Sequence, residues 1–116
     1  MFPRYFGWEV PCETGPKYFI GDTLTRIEHS LRKQVREALL FRDESLSKEE
    51  VREQTSKICS DFFYRLPEIQ RLLLKDVQAA FDGDPAAQSK EEVIFSYPGF
   101  YATFVYRIAH ELYRAD

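Results

Sequence analysis

The chain has 116 residues, of which 44% are hydrophobic and 30% are charged, and its formal net charge is -3. That length suits one domain with a single core, and that apolar content is too high for a disordered chain. The negative charge and the lack of a Lys/Arg stripe argue against nucleic-acid binding, and no apolar run approaches the roughly 18 residues that a membrane span needs.

We expect an irregular arm over residues 1–21 and a helical domain over residues 22–116. Three prolines and three glycines interrupt the arm, so that no periodicity survives in it. It lacks the apolar region of a signal peptide, which leaves the cytoplasm as the expected location. The two cysteines, Cys12 and Cys59, have no partner at metal-ligand spacing and fit a reducing compartment, and Cys59 is expected to pack as a small hydrophobic residue.

The first half of the helical domain predicts two helices. Asp22 is suited to cap the first, and apolar residues follow it at spacings of three and four. Ser47 and Glu50 have the spacing of a capping box, which opens a second helix. Pro67 is predicted to end that helix and to begin a third, because proline fits a first turn better than a helix interior.

Residues that commonly begin or end helices divide the second half of the helical domain. Gly83 is predicted to end the third helix, and Ser89 with Glu92 forms a second capping box that opens a short helix. The sequence Tyr-Pro-Gly at 97–99 breaks this helix, and a last helix follows from about Phe100. No segment of the sequence has the alternating apolar and polar residues of a β-strand. The predicted fold class is therefore all-α, a four- to five-helix bundle with an irregular N-terminal arm.

The last helix carries an unusually wide apolar arc. Its members are Tyr101, Phe104, Val105, Ile108 and Leu112. Arg107, Glu111 and Arg114 lie outside the arc. One packing partner needs a narrower stripe than this. We therefore expect two faces to be buried, one of them against something that this chain does not supply.

Candidate catalytic chemistry is scarce. The sequence has no Gly-rich phosphate loop, HExxH motif or nucleophile elbow, so it predicts no catalytic residue and no metal site. His29 and His110 fall within helical patterns and are expected to be structural. Asp82 and Asp84 stand in a turn just past a helix end, where such residues commonly serve the backbone. The alternative is that Asp84 directs its carboxylate toward a substrate amine.

Four motifs in the last third of the chain follow one another in a specific order. They are Asp-Val-Gln-Ala at 76–79, Asp-Pro-Ala at 84–86, Gly-Phe at 99–100, and Tyr-Arg-Ile followed by His at 106–110. Together they resemble the end of the N-terminal helical domain of bacterial serine O-acetyltransferases. Their agreement in both order and spacing makes the resemblance fairly specific.

The resemblance implies an enzyme that moves the acetyl group of acetyl-CoA to the hydroxyl of L-serine, in cysteine biosynthesis. In that family the catalytic residues and the acetyl-CoA groove belong to a left-handed β-helix of hexapeptide repeats, for which this chain has no sequence. The chain is then the oligomerisation and substrate-contacting domain of a longer enzyme, and is inactive and without a cofactor by itself. The family assembles as trimers or hexamers, which implies self-association.

One functional position of the family can be carried over. The aspartate of Asp-Pro-Ala contacts serine, or the inhibitor cysteine, in relatives, and it matches Asp84. Arg107 and His110 match a family motif that is expected to hold the last helix in place.

Two alternatives stay open at this point. The chain could be a free-standing helical interaction module, with the last helix as its partner-binding face. The resemblance could also hold for the fold alone, with another hydroxyl such as that of homoserine as acceptor.

Overall fold

A computed structural model describes residues 15–115, and these form four α-helices with no β-strand among them. The helices are α1 Pro16–Arg42, α2 Lys48–Gly83, α3 Lys90–Ser96 and α4 Pro98–Arg114. The all-α prediction is therefore confirmed. None of the helices in this part of the chain has both the length and the apolar content to cross a bilayer.

Helix α1 begins earlier than the sequence predicts, at Pro16 instead of Asp22. Pro16 occupies the first turn, where its missing N–H costs nothing because that group has no helical partner anyway. Gly15 precedes it in an extended conformation. The predicted irregular arm is thus wrong for residues 16–21, and its residues 1–14, including Cys12, lie outside the described residues.

Pro67 does not end a helix, contrary to the sequence prediction. It lies inside α2, which continues for 36 residues. An interior proline removes one backbone hydrogen bond and clashes with the carbonyl four residues earlier, at a cost of about 3 kcal/mol. The apolar stripe of α2 continues past the proline, with Phe62 before it and Ile69 after it both buried. Burial on both sides outweighs the local preference for a break.

Two compact units divide the described chain, residues 15–63 and residues 64–115. In the first unit, α1 and the start of α2 are linked by Arg32, which donates from its guanidinium to the hydroxyl of Ser56 at 3.1 Å. Its buried residues are Leu39, Val51, Thr55, Cys59 and Phe62. Cys59 packs as predicted, and burial raises the pKa of its thiol, which keeps the sulfur protonated and unreactive.

The second unit takes its core from the end of α2, from α3 and from α4. Its buried apolar residues are Ile69, Leu73, Val77, Val93, Ile94 and Phe100. Leu73 is fully enclosed, whereas its neighbour Leu74 is 52% exposed, as expected for a helix with one buried face. This core supports the turn between α2 and α3 and the break between α3 and α4.

The two predicted capping boxes differ in completeness. The amide of Glu50 donates to the Ser47 hydroxyl at 3.2 Å, and the Ser47 amide donates back to the Glu50 carboxylate at 2.8 Å. At α3 the Ser89 hydroxyl accepts from the Glu92 amide at 3.1 Å, but the Glu92 carboxylate accepts instead from the amide of Gln88. The first box is confirmed, and the second is formed in one direction only.

Candidate functional site

The Asp84 side chain organises the turn that follows α2. Its Oδ1 accepts a hydrogen bond from the backbone N–H of Ala86 at 2.9 Å, and its own carbonyl accepts one from Ala87 at 3.1 Å. Pro85 between them has a fixed φ and no N–H, which suits the second position of such a turn. The backbone role expected for a turn aspartate is therefore present at Asp84.

The other carboxylate oxygen of Asp84 contacts a residue that the sequence did not single out. The hydroxyl of Tyr97 donates to Oδ2 of Asp84 at 2.5 Å. Tyr97 ends α3 and begins α4: its N–H donates to the carbonyl of Val93, and its carbonyl accepts from Phe100 and Tyr101. The sequence Tyr-Pro-Gly at 97–99, predicted only to break a helix, therefore places the phenol of Tyr97 beside the Asp84 turn.

These contacts set the charge of the pair. The hydroxyl of Tyr97 and then the amide of Ala86 lower the pKa of Asp84 below its ordinary value, so the carboxylate is ionised at neutral pH. The carboxylate in turn raises the pKa of Tyr97 to about 12, which keeps the phenol protonated. Asp84 is half-buried. Each of its oxygens accepts one bond and has a further lone pair, so the carboxylate can still accept from a ligand ammonium.

Asp82, predicted to stand past the helix end, lies instead in the last turn of α2 and is engaged differently. Its Oδ1 accepts from the side-chain amide of Gln78 at 2.7 Å, one turn earlier in α2, and the residue is exposed. Asp82 is tied to its own helix, whereas Asp84 joins the turn to the α3–α4 junction. The two carboxylates are therefore not an acid–base pair, and Asp84 is the one held in a structured setting.

Two ion pairs tie α4 to the part of α2 that belongs to the same unit, residues 64–83. Arg107 contacts Asp76 through both arms of its guanidinium, with Nη2 at 2.8 Å from Oδ1 and Nε paired with Oδ2. Arg65 pairs with Glu111 at 2.8 Å. The hydrogen bond to Asp76 raises the pKa of Arg107. The polar side of α4, which the sequence puts outside the apolar arc, therefore faces partners in α2.

The histidines take no part in this arrangement. His110 is exposed, and its ring stacks on that of Tyr106 with the ring centres 5.6 Å apart. His29 is exposed on α1. Among residues 15–115 no three His, Cys, Asp or Glu side chains come together as metal ligands.

The apolar arc of α4 is divided into two rows. Phe104, Ile108 and Leu112, at every fourth position, are half-buried. The adjacent row begins at Tyr101 and Val105, which are 58% and 47% exposed, and ends at Tyr113, which is 79% exposed. We call this second row, Tyr101, Val105, Ala109 and Tyr113, the outer row.

Comparisons with known proteins agree on one family. A family model described as "Serine acetyltransferase, N-terminal" matches residues 25–104. A protein of Synechococcus elongatus named "Serine acetyltransferase, plasmid" is 42% identical over 98% of this chain and 37% of its own length. Serine acetyltransferases of Bacillus subtilis and Mycobacterium tuberculosis are 50% and 49% identical over 38% and 34% of this chain, and over 20% and 17% of their own.

The chain thus spans well under half the length of the relatives it matches. The family match includes the Asp84 turn, the α3–α4 junction and the first seven residues of α4, and with them three of the four motifs, but it ends before the motif at 106–110. Those features and the similarity along nearly the whole chain establish that this chain belongs to the serine acetyltransferase family.

Proposed function

We propose that the whole protein is a serine O-acetyltransferase of cysteine biosynthesis and that this chain is its helical, substrate-contacting domain. The observation that carries the proposal is the family match across the Asp84 turn, together with an ionised, half-buried Asp84 that retains acceptor capacity. The reaction joins the serine hydroxyl oxygen to the acetyl carbon of acetyl-CoA, and the thiol of CoA leaves with the hydroxyl proton. No residue of this chain is assigned to that proton transfer.

In this proposal Asp84 binds the ammonium of L-serine, or of cysteine as an inhibitor. A carboxylate facing an ammonium makes a charge-assisted hydrogen bond, which is about twice as strong as a neutral one. The Tyr97 hydroxyl and the Ala86 amide fix the carboxylate before the substrate arrives, so little side-chain freedom is lost on binding.

We also infer that the outer row of α4 is covered in the assembled enzyme. Exposed tyrosines and valine along one helix face bury favourably against another protein surface. The family resemblance supports self-association, as trimers or hexamers, and acetyl-CoA bound outside this chain. The cytoplasmic location predicted from the sequence fits the buried, free thiol of Cys59.

A chimera tests the proposed activity. Residues 1–116 replace the matching region of the Synechococcus elongatus relative, and serine-dependent release of CoA thiol is measured from acetyl-CoA. We expect turnover with L-serine that exceeds turnover with L-homoserine, and no turnover from residues 1–116 alone. A chimera that is folded and assembled but does not acetylate serine would contradict the proposal, and turnover by the 116-residue chain alone would contradict its division of labour.

The exposed outer row also favours a second candidate, a helical interaction module without catalysis. The reading frame that contains this chain separates the two. Hexapeptide repeats with a small aliphatic residue at every sixth position, downstream of codon 116, support the enzyme. Their absence from the frame supports the module.

A further inference from the structure

The unit of residues 15–63 contains a cleft that lies outside the Asp84 turn. It lies between α1 and the first turns of α2, is partly open to solvent, and has a volume of about 900 Å³. Its walls run from His29 to Leu40 on α1 and from Lys48 to Thr55 on α2. Pockets for small ligands commonly measure about 300–1,000 Å³, so one ligand of nucleotide size fits this volume.

The cleft is strongly cationic in a chain of net charge -3. Its basic residues are Arg32, Lys33, Arg36, Lys48 and Arg52, and its one acidic residue is Glu37. Like charges at Arg32 and Arg36, and at Lys48 and Arg52, are four residues apart on a helix, a spacing at which they repel. An opposite charge bound between the two helices would relieve both repulsions.

Most of these cations have no acidic partner. Arg32 is the exception, because its Nε pairs with the carboxylate of Glu28 at 2.9 Å and its Nη1 donates to the hydroxyl of Ser56. Among residues 15–115, no carboxylate lies within ion-pair distance of the remaining four basic side chains. Four cations facing one cleft from two helices are therefore available to a ligand.

A buried hydroxyl lines the same cleft. Thr55 is 6% exposed, and within the described chain its Oγ1 is buried without a hydrogen-bond partner. A threonine inside a helix usually bonds to a carbonyl one turn earlier, and a buried polar group without any partner is destabilising. Thr55 lines the cleft together with the basic residues, and its Oγ1 is covered in this structure, so a rotation about χ1 is needed for an oxygen of a bound ligand to supply the missing partner.

Apolar side chains complete the lining. Leu40, Leu46 and Val51 stand beside the basic residues, with Val51 buried. Such a mixture fits a ligand with an organic portion and an anionic portion better than it fits a bare ion. From this juxtaposition we propose that the cleft between α1 and α2 binds an organic polyphosphate of the nucleoside polyphosphate class, with the phosphates on the basic side chains and one oxygen at Thr55. The site is separate from the proposed serine contact and does not depend on it.

Calorimetric titration of the 116-residue chain at low salt tests the site, with ATP, inorganic tripolyphosphate and adenosine as probes. We expect ATP to bind with a Kd below about 1 mM, tripolyphosphate more weakly, and adenosine without measurable heat. Raising the salt should weaken ATP binding, because the charges are near solvent. Tighter binding of ATP than of tripolyphosphate would show that the cleft holds the organic portion as well as the phosphates. Equal binding of the two would show that it holds the phosphates alone.

Variants locate the binding in the cleft. The double variant Arg36→Ala/Arg52→Ala should weaken ATP binding at least tenfold, since each lost charge-assisted hydrogen bond accounts for roughly that factor. The matched control Lys57→Ala/Lys75→Ala removes two exposed cations that do not line the cleft and should change binding by less than about twofold. Thr55→Val keeps every charge and should weaken binding several-fold, while the ligand-free variant melts at a higher temperature.

Three outcomes would overturn the proposal. They are no heat and no thermal shift with ATP or tripolyphosphate, an equal loss of binding in the lysine control, or tighter binding of a hexaglutamate peptide than of ATP. The last result would identify the cleft as a surface for acidic protein segments.

Discussion

The hydroxyl of Tyr97 donates a hydrogen bond to the carboxylate of Asp84, although the two residues are thirteen positions apart and lie on opposite sides of α3 in the sequence. This contact fastens the turn after α2 to the junction between α3 and α4. It also holds an anion in a fixed place at the turn. The proposed serine contact depends on both effects.

The first prediction concerns the titration of Tyr97. The pair raises the pKa of its phenol to about 12, because ionisation would lose the hydrogen bond to Asp84 and would also put a second negative charge beside that carboxylate. Ultraviolet difference titration of the wild type and of Tyr97→Phe should differ by one phenol that ionises near pH 12. In Asp84→Asn that phenol should ionise closer to its ordinary pKa of 10.0. An unchanged value in Asp84→Asn would show that the hydrogen bond does not form.

The same contact predicts how stability depends on pH. The pKa of Asp84 is lowered from 3.8, so its contribution is present above that pH and is lost as the pH falls through the lowered value. The pKa of Tyr97 is raised, so its contribution is present below pH 10.0 and is lost as the pH rises toward 12. Denaturation of the wild type and of Tyr97→Phe should therefore differ most between those limits and converge outside them. A difference that persists at both extremes would contradict this pairing.

Leu73 and Leu74 allow a matched test of the second core. Leu73→Ala removes a fully buried side chain and should lower the free energy of unfolding by about 2–5 kcal/mol. Leu74→Ala, at a position 52% exposed, should cost less than about 1 kcal/mol. Urea denaturation followed by circular dichroism measures both. Equal losses would mean that α2 buries a different face.

The pair between Arg107 and Asp76 should contribute more than a surface pair. Its side chains are 28% and 25% exposed, against 80% and 63% for Arg26 and Asp22. A double-mutant cycle to alanine should give a coupling of about 1 kcal/mol or more for the first pair and below about 0.5 kcal/mol for the second.

Lysine at position 107 provides the finer test of that pair. Arg107→Lys keeps the charge but loses the two-pronged contact, so it should recover only part of the coupling. Full recovery would assign the effect to charge alone and would leave the guanidinium geometry without a role.

The outer row of α4 predicts a contrast between stability and association. Val105→Gln should hardly change the stability of the chain, because Val105 is 47% exposed, whereas Phe100→Ala should cost about 3–5 kcal/mol. Sedimentation of the 116-residue chain should show association that Val105→Gln weakens. A large loss of stability in Val105→Gln, with no change in association, would mean that the chain itself already covers this row.

Local chemistry made much of the fold predictable. The capping box of Ser47 and Glu50 needs only residues three apart, and the buried positions Val51, Cys59 and Phe62 follow one helical period. The predicted helix break at Pro67 was wrong because the burial of apolar residues on either side outweighs the free-energy cost of an interior proline. Helix propensity alone does not measure that burial.

Only part of the candidate functional site could be predicted from the sequence. Asp84 stood out through its Asp-Pro-Ala turn, but its contact with Tyr97 depends on how α3 returns the chain, which no short pattern encodes. The basic cleft was missed for the same reason. Arg36 and Arg52 lie on different helices, and only the packing of α1 beside the start of α2 brings them to one cavity.

The central claim, that Asp84 holds the ammonium of serine, is tested most directly by steady-state kinetics of the active chimera with Asp84→Asn. Removing one charge-assisted contact should lower kcat/KM for serine by about 10–100-fold and leave the KM for acetyl-CoA within about twofold. Asp82→Asn, the matched control two residues earlier in the last turn of α2, should behave as the parent. Unchanged serine kinetics in Asp84→Asn, or an equal loss in Asp82→Asn, would contradict the account.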